Sequence, residues 1–145
     1  MKPLPQVLLV DDNPADVVLA REALAGGGHH SHIWQVQDGE EAIAFLHHSG
    51  RHADAIRPDL VILDLNLPKK DGRAVLIEAK SDKSLRTIPV VVFSTSRSMS
   101  DISCSYELGA NCYVHKPGSL DEYFRVLRSI EDFWFGSVSL PREER

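Results

Sequence analysis

The stretch Val7-Leu8-Leu9-Val10-Asp11-Asp12-Asn13-Pro14 decides the fold. Four consecutive apolar residues are greasy on both alternating faces, which suits a parallel strand covered by helices front and back. Two acids then end the run. Asn13 can cap a helix, and Pro14 suits its first position, where the missing N–H is not needed. Gly26-Gly27-Gly28 stops the helical segment that holds Val18, Leu19, Ala23 and Leu24.

Outward from this unit the same alternation recurs four more times, five in all, without an internal repeat. His32-Ile33-Trp34-Gln35-Val36, Leu60-Val61-Ile62-Leu63, Pro89-Val90-Val91-Val92-Phe93 and Cys112-Tyr113-Val114 are short and rich in branched or aromatic residues, as strands are. Asp38 with Glu41, Ser98 with Asp101 and Ser119 with Glu122 have the spacing of helix capping boxes, while Gly50 and Gly109 stand where the second and fourth helices should stop. The pattern predicts an α/β fold, a (βα)5 doubly wound parallel sheet. Right-handed crossovers wind such a sheet in the order 2-1-3-4-5.

Composition narrows the function. The 145 residues, 43% hydrophobic and 26% charged, suit one globular domain able to hide about 70% of its unfolded surface. A net charge of −5 gives no basic footprint for nucleic acid or anionic membranes. No apolar run approaches the ~18 residues of a membrane span, and the start lacks a secretion signal. Cys104 and Cys112 make no disulfide framework, and a reducing cytoplasm is expected.

In a sheet of order 2-1-3-4-5, ligands bind beyond the carboxyl ends of the strands at the crevice between the first and third. There the sequence sets Asp11 and Asp12 after strand 1, Asp64 after strand 3, Ser94 and Thr95 after strand 4, and Lys116-Pro117 after strand 5. Crowded carboxylates call for a cation. Oxygen-only donors favour Mg²⁺, which takes few carboxylates and keeps a place for a phosphoryl oxygen. Asp11, Asp12 and Asp64, with the backbone carbonyl at Asn66, are the expected metal ligands. Asp64 then serves as nucleophile and phosphoacceptor, Lys116 neutralises incoming charge, and Ser94 donates a hydrogen bond. Each residue also has a plain structural reading: Asp11 or Asp12 as helix cap, Asp64 as turn residue, Lys116 and Ser94 as surface groups. Their joint placement on one rim favours the chemical reading.

At these residues the whole chain resembles the receiver domains of two-component response regulators. Asp11-Asp12 is similar to the family's acidic pair, Asp64 in Leu63-Asp64-Leu65-Asn66-Leu67-Pro68 to its phosphoacceptor, Ser94 to its switch hydroxyl, and Lys116-Pro117 to its lysine and following proline. Tyr113 stands at the place of the switch aromatic, and Asp71-Gly72 also matches. The resemblance implies phosphoryl transfer from a histidine kinase to Asp64 with Mg²⁺, a cis Lys116–Pro117 bond, and signalling by repacking of helix 4, strand 5 and helix 5. Val10-Asp11-Asp12-Asn13-Pro14-Ala15-Asp16, with Tyr123-Phe124 and Phe133-Trp134, resembles the single-domain regulators of bacterial phytochrome kinases. A long spacer through His47-His48-Ser49-Gly50-Arg51-His52 and the bulk of Thr95 depart from the common pattern, and Thr95 bears on phosphoryl access.

From Leu120 to Phe135, nine of sixteen residues are apolar, more than a one-faced helix needs. Leu120, Phe124, Leu127 and Trp134 form one stripe, and Tyr123, Val126, Ile130 and Phe133 another. The excess predicts a homodimer through helix 5 and strand 5, with Tyr123, Val126, Ile130, Phe133 and Trp134 at the interface. The receiver is expected over residues 1–136, with 137–145 a short tail and no output domain. His29, His30 and His32, like His47, His48 and His52, read as solvated loop histidines for want of a matching carboxylate set, Lys69-Lys70 as an exposed turn, and Trp34 as a packing residue. The expected function is thus a phosphoacceptor signalling protein rather than an enzyme acting on a separate substrate. A Mg²⁺-dependent phosphohydrolase is the first alternative, disfavoured by Asn66 where such enzymes place a second acid. A phosphate-independent pseudo-receiver is the other.

Overall fold

Strands buried on both faces need helices on both sides, and the computed structural model, which describes residues 3–141, has that arrangement. The order is β1 (Gln6–Val10), α1 (Pro14–Ala25), β2 (His32–Val36), α2 (Gly39–Leu46), β3 (Leu60–Leu63), α3 (Gly72–Ser81), β4 (Val90–Ser94), α4 (Met99–Glu107), β5 (Cys112–His115) and α5 (Leu120–Glu131). All pairings are parallel and the sheet order is β2-β1-β3-β4-β5.

Alternate residues of the same strands feed two cores. Leu8, Val10, Val61, Leu63, Val90 and Val92 pack with Phe45 of α2 and Leu76 of α3. Val7, Leu9, Leu60, Ile62, Val91 and Phe93 pack with Leu24 of α1 and Leu127 of α5. Each such buried aliphatic side chain contributes roughly 1.5–3 kcal/mol of transfer free energy, so the two-sided burial of β1, β3 and β4 fixes the sheet. Register then fixes the rim. Val10 lies opposite Leu63 and Ser94 opposite His115, so Asp11 and Asp64 emerge side by side and Lys116 follows on the next strand but one.

The caps form as the spacing predicts: Asn13 Oδ1 accepts from Ala15 N (3.0 Å), Asp38 Oδ1 from Glu41 N (2.8 Å), and Ser98 and Ser119 Oγ from Asp101 and Glu122 N (3.3 Å each). Asp71 caps α3 through Ala74 N at 3.2 Å. Helix α2 stops earlier than Gly50 suggests. It ends at Leu46, His48 takes the left-handed turn (φ 55°), and Gly50 opens a 3₁₀ turn to His52.

The last helix corrects the expected interface. Tyr123, Leu127 and Ile130 are buried in the chain's own core; Tyr123 lies away from the outer face, while Ile130 reaches the floor of a groove there. Leu120, in the other stripe, is exposed. Val126, Phe133 and Trp134 remain on the outside and, with Cys112 and Val114 of β5, line an open apolar groove of about 240 Å³. Beyond α5 a π-helical turn runs over Asp132–Ser137, and Val138 N donates back to Phe133 O at 3.1 Å. Val138 and Leu140, in the expected tail, line a second hollow with Trp134, Phe135 and Leu4, and Arg142–Arg145 lie outside the described residues. Among the described residues no helix is long and apolar enough to cross a membrane.

Candidate functional site

Three carboxylates converge on one ammonium. Lys116 Nζ donates to Asp11 Oδ2 (2.8 Å), Asp64 Oδ2 (2.9 Å) and Asp16 Oδ2 (3.0 Å). Nζ also sits 5.7 Å from the centroid of the buried Phe93 ring, which shields the cluster from below. Lys116 is held over the strand ends by its own N–H, bonded to Ser94 O at 2.7 Å. Burial alone would lower its pKa. The hydrogen bonds and charges of Asp11 and Asp64 outweigh that and hold the ammonium well above the ordinary lysine range.

Asp11 is buried, and that burial pushes its carboxyl above the usual range despite hydrogen bonds from Lys116 and from Asn13 N (2.9 Å). Asp64 is half-buried and its Oδ1 accepts from Asn66 N at 3.4 Å. Asp12 is exposed and completes the acidic set: one oxygen each from Asp11, Asp12 and Asp64 lie within 4.8 Å of one another. A single ammonium leaves this cluster short of positive charge. Hard carboxylate oxygens at that spacing, beside a backbone turn at Asn66, suit a hard divalent cation.

The floor depends on Gly72. A Cβ there would lie 2.2 Å from Asp64 O, so only glycine lets α3 start directly beneath the acid; its N–H bonds Leu65 O at 2.8 Å.

Ser94 is the buried last residue of β4, and its Oγ accepts from Ser96 N at 3.2 Å, while Thr95 is exposed on the loop above. Tyr113 is half-buried, with its hydroxyl on Ser96 O at 2.8 Å, so it is tied to the same β4–α4 loop. Asp101 braces that loop through Ser96 Oγ (2.6 Å) and Arg73 Nη2 (2.5 Å). The Lys116–Pro117 bond is trans, contrary to the cis form expected. The trans isomer of an X–Pro bond is favoured by about 0.5–1 kcal/mol, and in it Lys116 already makes its strand bond and reaches all three acids. The sequence pattern alone gives Asp16 no role at this rim. Its place three residues after the Asn13 cap, in the first turn of α1, was the available signal.

The profile of the response regulator receiver domain matches residues 7–128. The chain belongs to this family. It is a receiver-domain response regulator of two-component signalling, homologous to phytochrome response regulators. Response regulator Rcp1 of Synechocystis is 44% identical over 135 residues, covering 93% of this chain and 92% of that one. Among solved structures, the phosphorylated cyanobacterial phytochrome response regulator RcpA is 48% identical with a TM-score of 0.93, covering 97% of this chain and 100% of that chain. The Mn²⁺-bound form of Rcp1 gives 43% identity and a TM-score of 0.91, covering 95% and 99% of the two chains. A divalent cation in that response regulator agrees with the chemistry of the acidic set here.

Proposed function

We propose that this response regulator accepts a phosphoryl group on Asp64 from the phosphohistidine of a sensor kinase. The observation that carries the reading is the Lys116 ammonium bonded at once to Asp64 and Asp11, beside an acidic set able to hold a divalent ion. Asp64 carboxylate attacks phosphorus, the P–N bond breaks, and the departing histidine nitrogen takes a proton. Lys116 steadies the charge gained by Asp64, and Ser94 lies close enough in sequence to the loop to donate to a phosphoryl oxygen once the loop moves. Asp11, Asp12, Asp64 and the Asn66 carbonyl would hold Mg²⁺, which when bound supplies charge neutralisation at the phosphoryl oxygens.

The likeness to cyanobacterial phytochrome and bacteriophytochrome response regulators supports a phytochrome-type histidine kinase as donor, and in this reading the exchange takes place in the cytoplasm. Signal output then passes by contact, through Tyr113 and the surface of α4, β5 and α5, with no nucleic acid partner. Residues 1–136 form the receiver unit in this reading. Its groove of Cys112, Val114, Val126, Phe133 and Trp134 seats a second copy as a homodimer, the exposed Phe133 being the anchor. Asn66, two residues after the acceptor, gives no acid for a leaving group, so the aspartyl phosphate decays slowly by itself and no separate ester is turned over.

Intact-mass measurement after incubation with Mg²⁺ and acetyl phosphate tests this. One phosphoryl group should be gained, absent in Asp64→Asn and reduced in Asp12→Ala and Lys116→Ala. No gain in mass, or repeated release of phosphate from many esters, would overturn the proposal.

A further inference from the structure

Glu131 is a charged residue with no exposed surface, at the far end of α5 from the phosphoacceptor rim. Its Oε1 accepts the His29 N–H at 3.2 Å, but its Oε2 is buried without a hydrogen-bond partner. A carboxylate oxygen left dry and unpaired is costly, and such groups in folded proteins have partners. The carboxylate lies where a Cβ at Gly27 would stand 2.0 Å from Oε1, so the glycine turn is shaped around it. Asp132 and His29 complete the group, with His29 Nε2 3.4 Å from Asp132 Oδ1. One donor atom from each of His29, Glu131 and Asp132 lies within 4.8 Å of the others. The carboxylates that the His29-His30-His32 run lacks in sequence are brought to it from about a hundred residues away.

We propose that His29, Glu131 and Asp132 bind a divalent transition-metal ion of the Zn²⁺ class, at the end of the sheet opposite Asp64. One imidazole and two carboxylates suit Zn²⁺ at about 2.0–2.2 Å, three protein ligands leaving a fourth position for water. This differs from the all-oxygen Mg²⁺-type set of the phosphoacceptor rim. Glu131 Oε2 gains its missing partner, and the exposed Asp132 turns inward to close the shell. The ion ties the α1–β2 loop to the π-helical turn that presents Phe133 and Trp134, so it braces one wall of the apolar groove.

The test uses the full chain, freed of metal with a chelator and then titrated calorimetrically with Zn²⁺ in excess Mg²⁺, which occupies the phosphoacceptor rim. One equivalent that is lost in His29→Ala should bind, distinct from any ion held by His47, Glu78 and Asp82, which also bring one imidazole and two carboxylates together. His29→Ala, Glu131→Gln and Asp132→Asn should each weaken it by roughly 10–100-fold or more, the range seen even for residues that merely support a metal ligand. His30→Ala should change nothing. Asp132 is exposed, so its variant keeps the test open if Glu131→Gln fails to fold. Ring-nitrogen NMR should show the His29 signal shifting with added Zn²⁺. Absence of binding in excess Mg²⁺, or affinity unchanged in His29→Ala and Asp132→Asn, overturns the proposal. So does loss in His30→Ala instead, which would mean an adventitious ion only.

Discussion

Replacing Lys116 by methionine keeps an unbranched side chain one atom shorter and removes its charge, which separates the ion cluster from most of the packing. Asp11 loses its only ion-pair partner among the described residues in a place where its side chain is 4% exposed, whereas Asp64 and Asp16 are 13% and 24% exposed and recover some hydration. Breaking a buried pair by removing one partner costs about 3–5 kcal/mol, while exposed pairs contribute about 0–1 kcal/mol. The Asp11 link therefore dominates, and the expected loss is about 3 kcal/mol. With a urea slope of about 2 kcal/mol/M, the unfolding midpoint should fall by about 1.5 M at pH 7 in the presence of chelator. The sign with pH follows from Asp11. Its folded-state pKa is already raised by burial, and loss of the lysine raises it further. Stability from a raised carboxyl pKa is full below the unfolded value near 3.9 and is lost as pH rises through the folded value. The deficit of the variant should shrink as pH falls from 7 toward the ordinary carboxylate range. A loss under about 1 kcal/mol at pH 7, or one independent of pH over that range, would refute the account.

Other perturbations test other parts of the molecule. Gly72→Val should destabilise the fold by several kcal/mol, because its Cβ meets backbone at 2.2 Å; thermal melting with native-like acetyl phosphate labelling would contradict the close approach. Leu127→Ala, fully buried beneath the sheet, should lose about 2–5 kcal/mol in urea unfolding. Phe133→Glu should leave the melting point within a few degrees but convert the dimer to monomer in sedimentation velocity; a wild-type monomer at micromolar concentration would dismiss the groove as an interface. Burial pushes the Tyr123 phenol above its ordinary range, so its neutral form favours folding below about pH 10, and that support is lost as pH rises through the folded value. Tyr123→Phe should flatten the alkaline limb of the stability profile, and an unchanged limb would show that the phenol does not titrate with folding.

The strand ends were legible because apolar runs with two-sided burial admit few alternatives, and parallel register then brings Asp11, Asp64 and Lys116 together without further information. Asp16 was harder to see. Its direction depends on how the Asp11–Asn13 turn feeds α1, and only the fold shows that its carboxylate faces back toward Lys116. The last helix announced an excess of apolar surface, but not its division: Tyr123 meets the sheet, Val126 and Ile130 pack on the core at the groove, and Phe133 stands exposed. Glu131 was illegible for a related reason, since an acid in an amphipathic helix ordinarily faces water. The isomer at Pro117 turns on an energy difference too small for sequence to decide.

An ammonium group carries three protons, and on Lys116 each already has an acceptor. A phosphoryl oxygen arriving on Asp64 must therefore displace one of them. Asp16 is nearest to bulk solvent and can be released with the smallest desolvation penalty, an exchange that its carboxyl NMR resonance would register. The same residue lends its carbonyl to the Tyr123 hydroxyl at 3.1 Å. Under the proposed phosphorylation, occupancy of the rim is expected to perturb the first turn of α1 and the inner face of α5, apart from the proposed route through Ser94 and Tyr113.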